Sequence, residues 1–273
     1  MADVTLEAIL RRNRAIVAAA LIVLTALAWS YLLWLVADMD MGGMDMSGFR
    51  MIPTGMSLMK PATAPWNAIE FAFVFVMWVV MMVGMMMPSA TPMILLYARV
   101  GGQAANTGEA LAATWWFAAG YLLIWTAFAL AATFAQWVLE RASLLTPTMA
   151  GSGVVFGGIV MIAAGLYQWV PLKDACLRQC QAPWLFIQRH GGFRGDALGS
   201  LVLGARHGMY CVGCCWALMA LLFVGGVMNV LWIAAITIFV LAEKIVPAGR
   251  AISRIAGLGF FAWGVWLLTQ ALL

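Results

Sequence analysis

Residues 209–242 run for 34 positions without a charged side chain. As one helix this stretch would be about 50 Å long at about 1.5 Å per residue, against a bilayer core of roughly 30 Å. A run so apolar belongs in a membrane, and its length forces it to turn. Gly225-Gly226 and Asn229 sit at its middle, where a tight hairpin fits. The run therefore splits into two short spans, 207–224 and 228–241. Composition agrees: 65% of residues are hydrophobic and 10% charged, where ordinary soluble domains carry about 25% charged residues. A sizeable soluble domain is excluded. The expected fold is all-α, a polytopic transmembrane helical bundle forming a single integral membrane domain over 1–273.

Further spans are expected at 16–36, from Trp66 onward, and at 110–137, 151–170 and 255–272, making seven. Arg11, Arg12 and Arg14 precede the first apolar run, which is too long for a signal-peptide core of about 7–15 residues and predicts a retained helix. The helix after Trp66 is rich in methionine, and Pro88 and Pro92 are expected to break or kink it. Two connections carry most of the polarity: a Met/Asp-rich outer loop, 38–65, and a basic, cysteine-containing cytoplasmic loop, 171–206. With the N-terminus inside, twelve of the fifteen basic residues fall on the inner side, leaving Arg50, Lys60 and Arg141 outside. Fusing the two short spans into one would change that division to nine against six, so the positive-inside rule favours seven. Trp29, Trp34, Trp66 and Trp137 then form an aromatic belt near the outer interface. The net charge of +4 reads as loop asymmetry across a membrane, and nucleic acid is not an expected partner.

The chemistry concentrates in Arg206-His207-Gly208-Met209-Tyr210-Cys211-Val212-Gly213-Cys214-Cys215, which holds three of the five cysteines and one of two histidines. At about 100° per residue, His207, Cys211 and Cys214 share a narrow helix face with Cys215 at its edge. The expected position is the cytoplasmic mouth of span 207–224. The preceding loop adds Cys176 and Cys180, an i,i+4 pair, and His190. Thiolates and imidazoles suit Cu(I), Zn(II) or iron, whereas oxygen-seeking ions want carboxylates that are scarce here. The abundance of methionine, 20 residues, puts copper ahead of zinc and iron. Adjacent Cys214 and Cys215 fit one ion poorly, which ranks Cys211 and Cys214 above Cys215. The competing reading is packing, because cysteine is often buried as a small hydrophobe. A disulfide is disfavoured on a reducing side, while a redox pair at Cys211 and Cys214 stays open.

Met77, Met81 and Met85 form a stripe at i,i+4 spacing, with Met82 and Met86 beside it. Met81 and Met85 are added to the candidate ligands; flexible packing is the alternative. Glu70, two turns before Met77 near the outer interface, is a candidate functional group as an intramembrane carboxylate; a solvated group at a helix end is the alternative. In the outer loop Met39, Met41, Met44 and Met46 alternate with Asp40 and Asp45, a soft capture site or a flexible acidic linker. Glu243-Lys244 reads as an interfacial ion pair.

Gly165-Leu166-Tyr167-Gln168-Trp169-Val170-Pro171-Leu172-Lys173, followed by Cys176-Leu177-Arg178-Gln179-Cys180 and Pro183, resembles a signature of the predicted metal-binding integral membrane proteins. These are a bacterial family defined as a domain of unknown function. Cys211-Val212-Gly213-Cys214-Cys215-Trp216, Met228-Asn229-Val230-Leu231-Trp232 and the closing Glu243-Lys244 resemble its second signature. Met81-Met82-Val83-Gly84-Met85-Met86-Met87-Pro88 resembles its Met-Pro segment. The resemblance implies metal binding without a defined activity.

The expectation is a multi-pass protein of the bacterial inner membrane that binds a soft metal, copper first, through Cys176, Cys180, His207, Cys211, Cys214, Cys215, Met81 and Met85. Its role would be metal trafficking or metalloenzyme assembly, without catalysis. Expected partners are the lipid bilayer, the metal ion and a metalloenzyme or membrane complex. A membrane thiol redox protein and an accessory subunit of a larger complex are the alternatives. Neither a nucleotide-binding motif nor a phosphorylated-aspartate motif is present, so pumping by hydrolysis is not expected.

Overall fold

A backbone in hydrocarbon must satisfy its own hydrogen bonds, and this chain does so with helices. The structure, a computed structural model, describes residues 2–39, 49–53, 58–61, 64–104, 107–146 and 149–272. The helices are α1 (Ala2–Met39), α2 (Ala68–Ala104), α3 (Thr107–Arg141), α4 (Val154–Tyr167), α5 (Pro171–Gln181), α6 (Pro183–Arg189), α7 (Ala197–Ala220), α8 (Leu222–Gly225), α9 (Val230–Ile245) and α10 (Gly249–Leu272). Five are long and apolar enough to cross a membrane: Arg14–Asp38, Ala68–Gln103, Gly108–Arg141, Ala197–Gly225 and Gly249–Leu272. The bent pair α4 and α5, which meet at 65°, makes a sixth if taken as one broken span. The protein is thus a helical, multi-pass membrane protein with five or six such spans where seven were expected. Two expected spans are short: α4 has 14 residues and α9 has 16. Pro171 causes the first shortfall by starting a new helix at its N1 position after an extended Val170.

Three further expectations change. The 171–206 loop is mostly helix, holding α5, α6 and the start of α7. Asp196 caps α7, accepting from the Gly199 amide at 2.6 Å, so the helix starts ten residues before His207 and its cysteines lie mid-helix. Arg206 does not mark an end; it is an exposed residue on a continuing helix. The prolines do not break α2, which runs through both. Pro88 removes the donor that the Gly84 carbonyl would use, and Trp29 Nε1 of α1 donates to that oxygen instead, at 3.2 Å.

The turn in the long apolar run falls where expected. α7 ends at Ala220, α8 adds one turn, Gly226 takes φ +97°, and Asn229 caps α9 by accepting from the Trp232 amide at 3.2 Å. Within 38–65, β1 (Phe49–Ile52) pairs antiparallel with β2 (Leu58–Pro61), Phe49 opposite Pro61. Asp40, Met41, Met44, Asp45 and Met46 of that loop lie outside the described residues. Glu70 is buried and paired with Lys60 at 3.4 Å, an ion pair that ties α2 to the hairpin.

α3 packs against both α2 and α7, and α4 against α10. The α3–α7 crossing is very close. A Cβ on Gly204 would lie 1.9 Å from the Phe117 carbonyl oxygen, and one on Gly120 would lie 2.0 Å from that of Leu201. Small residues at such crossings let two backbones touch, and this one sets Tyr121 of α3 against the cysteine face of α7. α2 and α3 are joined by a polar chain in which Trp78 Nε1 donates to Gln136 Oε1 at 2.7 Å, Gln136 Nε2 to Glu140 Oε1 at 3.0 Å, and Trp66 Nε1 to Glu140 Oε2 at 2.9 Å.

Candidate metal centre

The helical face expected from the sequence is the buried face of α7. His207, Cys211, Cys214 and Cys215 are each 3% exposed or less. α5 packs against α7 and brings Cys180 to the side of the cluster that holds Cys211 and Cys214. Cys176, one turn earlier, fits against Gly213, where an added Cβ would stand 2.7 Å from its sulfur. All five cysteines are free thiols. The i,i+4 pairs on two helices therefore meet, as the sequence suggested.

The surroundings of each sulfur differ. Cys211 Sγ accepts from Lys244 Nζ of α9 at 2.9 Å and lies 3.1 Å from the Tyr121 hydroxyl. The Cys214 and Cys215 thiols donate back to the Cys211 carbonyl at 3.1 and 2.9 Å. Cys215 Sγ also stands 4.0 Å from Met86 Sδ of α2. With metal–sulfur bonds of about 2.3 Å, a trigonal ion holds its sulfurs about 4.0 Å apart. Cys215, ranked behind Cys211 and Cys214 on helix geometry, is the thiol that meets a thioether. Met81 and Met85 are wholly buried in the same core, but the methionine sulfur beside a thiol belongs to Met86 of the adjoining stripe.

His207 sits in an aromatic cage of Phe117, Tyr121 and Phe186, with ring centroids at 6.1, 5.8 and 5.1 Å. Its Nδ1 is buried without a hydrogen-bond partner among the described residues. His190 Nδ1 lies 2.8 Å from the Phe186 carbonyl oxygen. Among the described residues no three His, Cys, Asp or Glu side chains converge to hold one ion. The sulfurs are neighbours, and a low coordination number using thiol and thioether is what they offer. That donor set is soft and free of carboxylates, which suits Cu(I) among the candidate ions.

Glu243 and Lys244 do not pair with each other at an interface. Both are buried, and helical geometry turns successive side chains about 100° apart. Glu243 receives Lys173 Nζ of α5 on its two oxygens, at 2.7 and 3.0 Å, and the Ser253 hydroxyl of α10. Lys173 also donates to the Gln168 side chain, and Gln181 Nε2 donates to the Glu243 carbonyl at 2.7 Å. Lys244 goes the other way, to Cys211 and to Ser89 Oγ of α2 at 2.9 Å. Motifs do not point to Lys244, Tyr121 or Ser89, because Lys244 and Tyr121 reach Cys211 from distant segments and Ser89 acts through Lys244. The Glu243-Lys244 pair closing an otherwise uncharged α9 is the one signal in the sequence.

A surface cavity of about 470 Å³, lined by Cys176, His190, Arg206, Met209 and Tyr210, opens beside the cluster. Cys176 of α5 lines this cavity, and the three thiols of α7 do not.

No curated protein and no solved structure matches the chain. A family model described as "PpoB2: Copper chaperone" matches residues 75–267, well over half of the length. The matched region begins within α2 and ends within α10; it contains Met86, all five cysteines and Lys244 and leaves α1 and the hairpin outside. A soft donor set buried among helices and a matching model over that region lead to one statement: the chain belongs to the PpoB2 family of copper chaperones.

Proposed function

We propose that the protein holds Cu(I) within the bacterial inner membrane and passes it to a metalloenzyme or membrane complex, without turning over a substrate. The ion is cargo, bound by the thiols of Cys211 and Cys215 and by the thioether of Met86. Cys176 at the cavity wall takes the ion in or hands it out. The other α2 methionines, Met81 and Met85 among them, extend the soft interior beyond Met86. The observation that carries this reading is the Cys215–Met86 sulfur pair at 4.0 Å. His207, whose Nδ1 has no hydrogen-bond partner among the described residues, lies one turn from Cys211 on the same face.

Copper content of the purified full chain tests the reading. The wild type retains copper, and a variant with Cys180, Cys211, Cys214 and Cys215 all changed to Ser loses it while still eluting as a folded species. Equal copper in both refutes the proposal. If the quadruple variant does not fold, Met86→Leu serves, with the same two outcomes.

Five free cysteines gathered on two packed helices give a thiol redox role a specific basis. Alkylation trapping after oxidant exposure separates the two. Thiols that cycle between free and disulfide forms without bound copper favour the redox role, and thiols protected only when copper is present favour the chaperone.

A further inference from the structure

The acids around the thiol cluster have basic partners of their own. Glu243 takes Lys173, and Asp174 takes Arg254 at 3.3 Å. Among the described residues Lys244 forms no ion pair with a carboxylate, yet its side chain is 7% exposed and ends on Cys211. An ammonium buried without an opposite charge is heavily penalised, and the soft acceptor it meets is the Cys211 sulfur at 2.9 Å. Ser89 fixes the ammonium in place. It accepts from Lys244 at 2.9 Å and donates to the Met86 carbonyl at 2.9 Å. The cation is thereby tied to the same turn of α2 that carries the Met86 thioether.

We propose that Lys244 is a specificity-determining residue of this site, a fixed counter-cation that favours a monovalent ion over divalent ones. The inference rests on the Cu(I) reading above. Two thiolates around Cu(I) carry one net negative charge, and the Lys244 ammonium brings the buried assembly to neutrality. Two thiolates around Zn(II) or Fe(II) are already neutral, and the same ammonium leaves one uncompensated positive charge in a low-dielectric core. A third thiolate would restore balance for a divalent ion, but no three candidate ligands of the His, Cys, Asp and Glu types converge among the described residues. Thioether sulfur adds no charge, so Met86 leaves this balance untouched. Selectivity then comes from charge in addition to ligand softness, which alone separates Cu(I) from Zn(II) poorly at thiolates.

The test uses the full chain in detergent, loaded anaerobically with Cu(I) and Zn(II) supplied together, with bound metals counted after desalting. In Lys244→Met the bound copper-to-zinc ratio is expected to fall by at least about tenfold, the scale of one uncompensated buried charge. Lys244→Arg keeps the charge and is expected to keep the preference for copper. A merely structural role would lower both metals together and leave the ratio unchanged, which overturns the proposal. If Lys244→Met does not fold, Ser89→Ala decides. Loss of the anchor lowers the ratio if Lys244 sets selectivity, and an unchanged ratio overturns it. A wild-type chain that binds no copper through its cysteines instead refutes the proposed function, so the two failures are distinguishable.

Discussion

Lys173→Met is the most informative stability perturbation. Lys173 is wholly buried, and its ammonium touches both Glu243 oxygens, at 2.7 and 3.0 Å, as well as the Gln168 amide oxygen. Removing it leaves a carboxylate 1% exposed with the Ser253 hydroxyl as its remaining side-chain partner. Breaking a buried ion pair from one side costs about 3–5 kcal/mol, and the lost bond to Gln168 adds about 1 kcal/mol. Against a typical total of about 5–15 kcal/mol, that is about a quarter or more of the stability. Removing both charges in Lys173→Met/Glu243→Met is a different case, because apolar replacement of a buried pair is often neutral. The double variant should recover most of the loss, to within about 1–2 kcal/mol of wild type. Unfolding titrations in mixed micelles, followed by circular dichroism and tryptophan fluorescence, give the numbers. A single-variant cost below about 1 kcal/mol, or a double variant as unstable as the single, would refute the claim that charge burial dominates here. Glu243 precedes Lys244 on α9, so the single variant should also expose Cys211 to alkylation.

Gly204→Ala places a Cβ 1.9 Å from a backbone oxygen of α3; it should cost about 2 kcal/mol or more and speed alkylation of Cys211, measured by mass spectrometry, as Tyr121 withdraws. Met86→Leu conserves volume and should change stability by less than about 1.5 kcal/mol, while copper retained after dialysis against a chelator falls. Cys176→Ser should leave the amount of copper held at saturation unchanged and slow its uptake, followed by stopped-flow loading.

The positions of the helices were open to reading because they depend on local apolar runs and turn residues. Gly226 and Asn229 marked the hairpin in the 209–242 stretch and form it. The start of α7 lies ten residues before the expected span because Asp196, a capping aspartate, opens the helix and Arg206 does not interrupt it. The length of α4 depended on Pro171, whose effect was read as a loop when it restarts a helix. Face-sharing on α7 followed from helical period alone, and the meeting of Cys180 with Cys211 followed from the loop joining neighbouring helices. The Lys244–Cys211 and Met86–Cys215 contacts span 33 and 129 positions. They depend on how helices cross, which is set by glycine contacts such as Gly204 on Phe117, and no local pattern encodes them.

The bond from Trp29 to the Gly84 carbonyl spans 55 positions and runs from early to late in the chain. Synthesis therefore delivers the donor before the acceptor that Pro88 leaves unpaired. When α2 enters hydrocarbon, the indole on α1 is already there to receive it. α1 then acts as a built-in insertion partner for a proline-bearing helix, and it lies outside the region shared with the family. A protein of this family without such a segment must satisfy the same carbonyl from another source. The first helix of this chain is thus a matter of assembly order before it is one of copper.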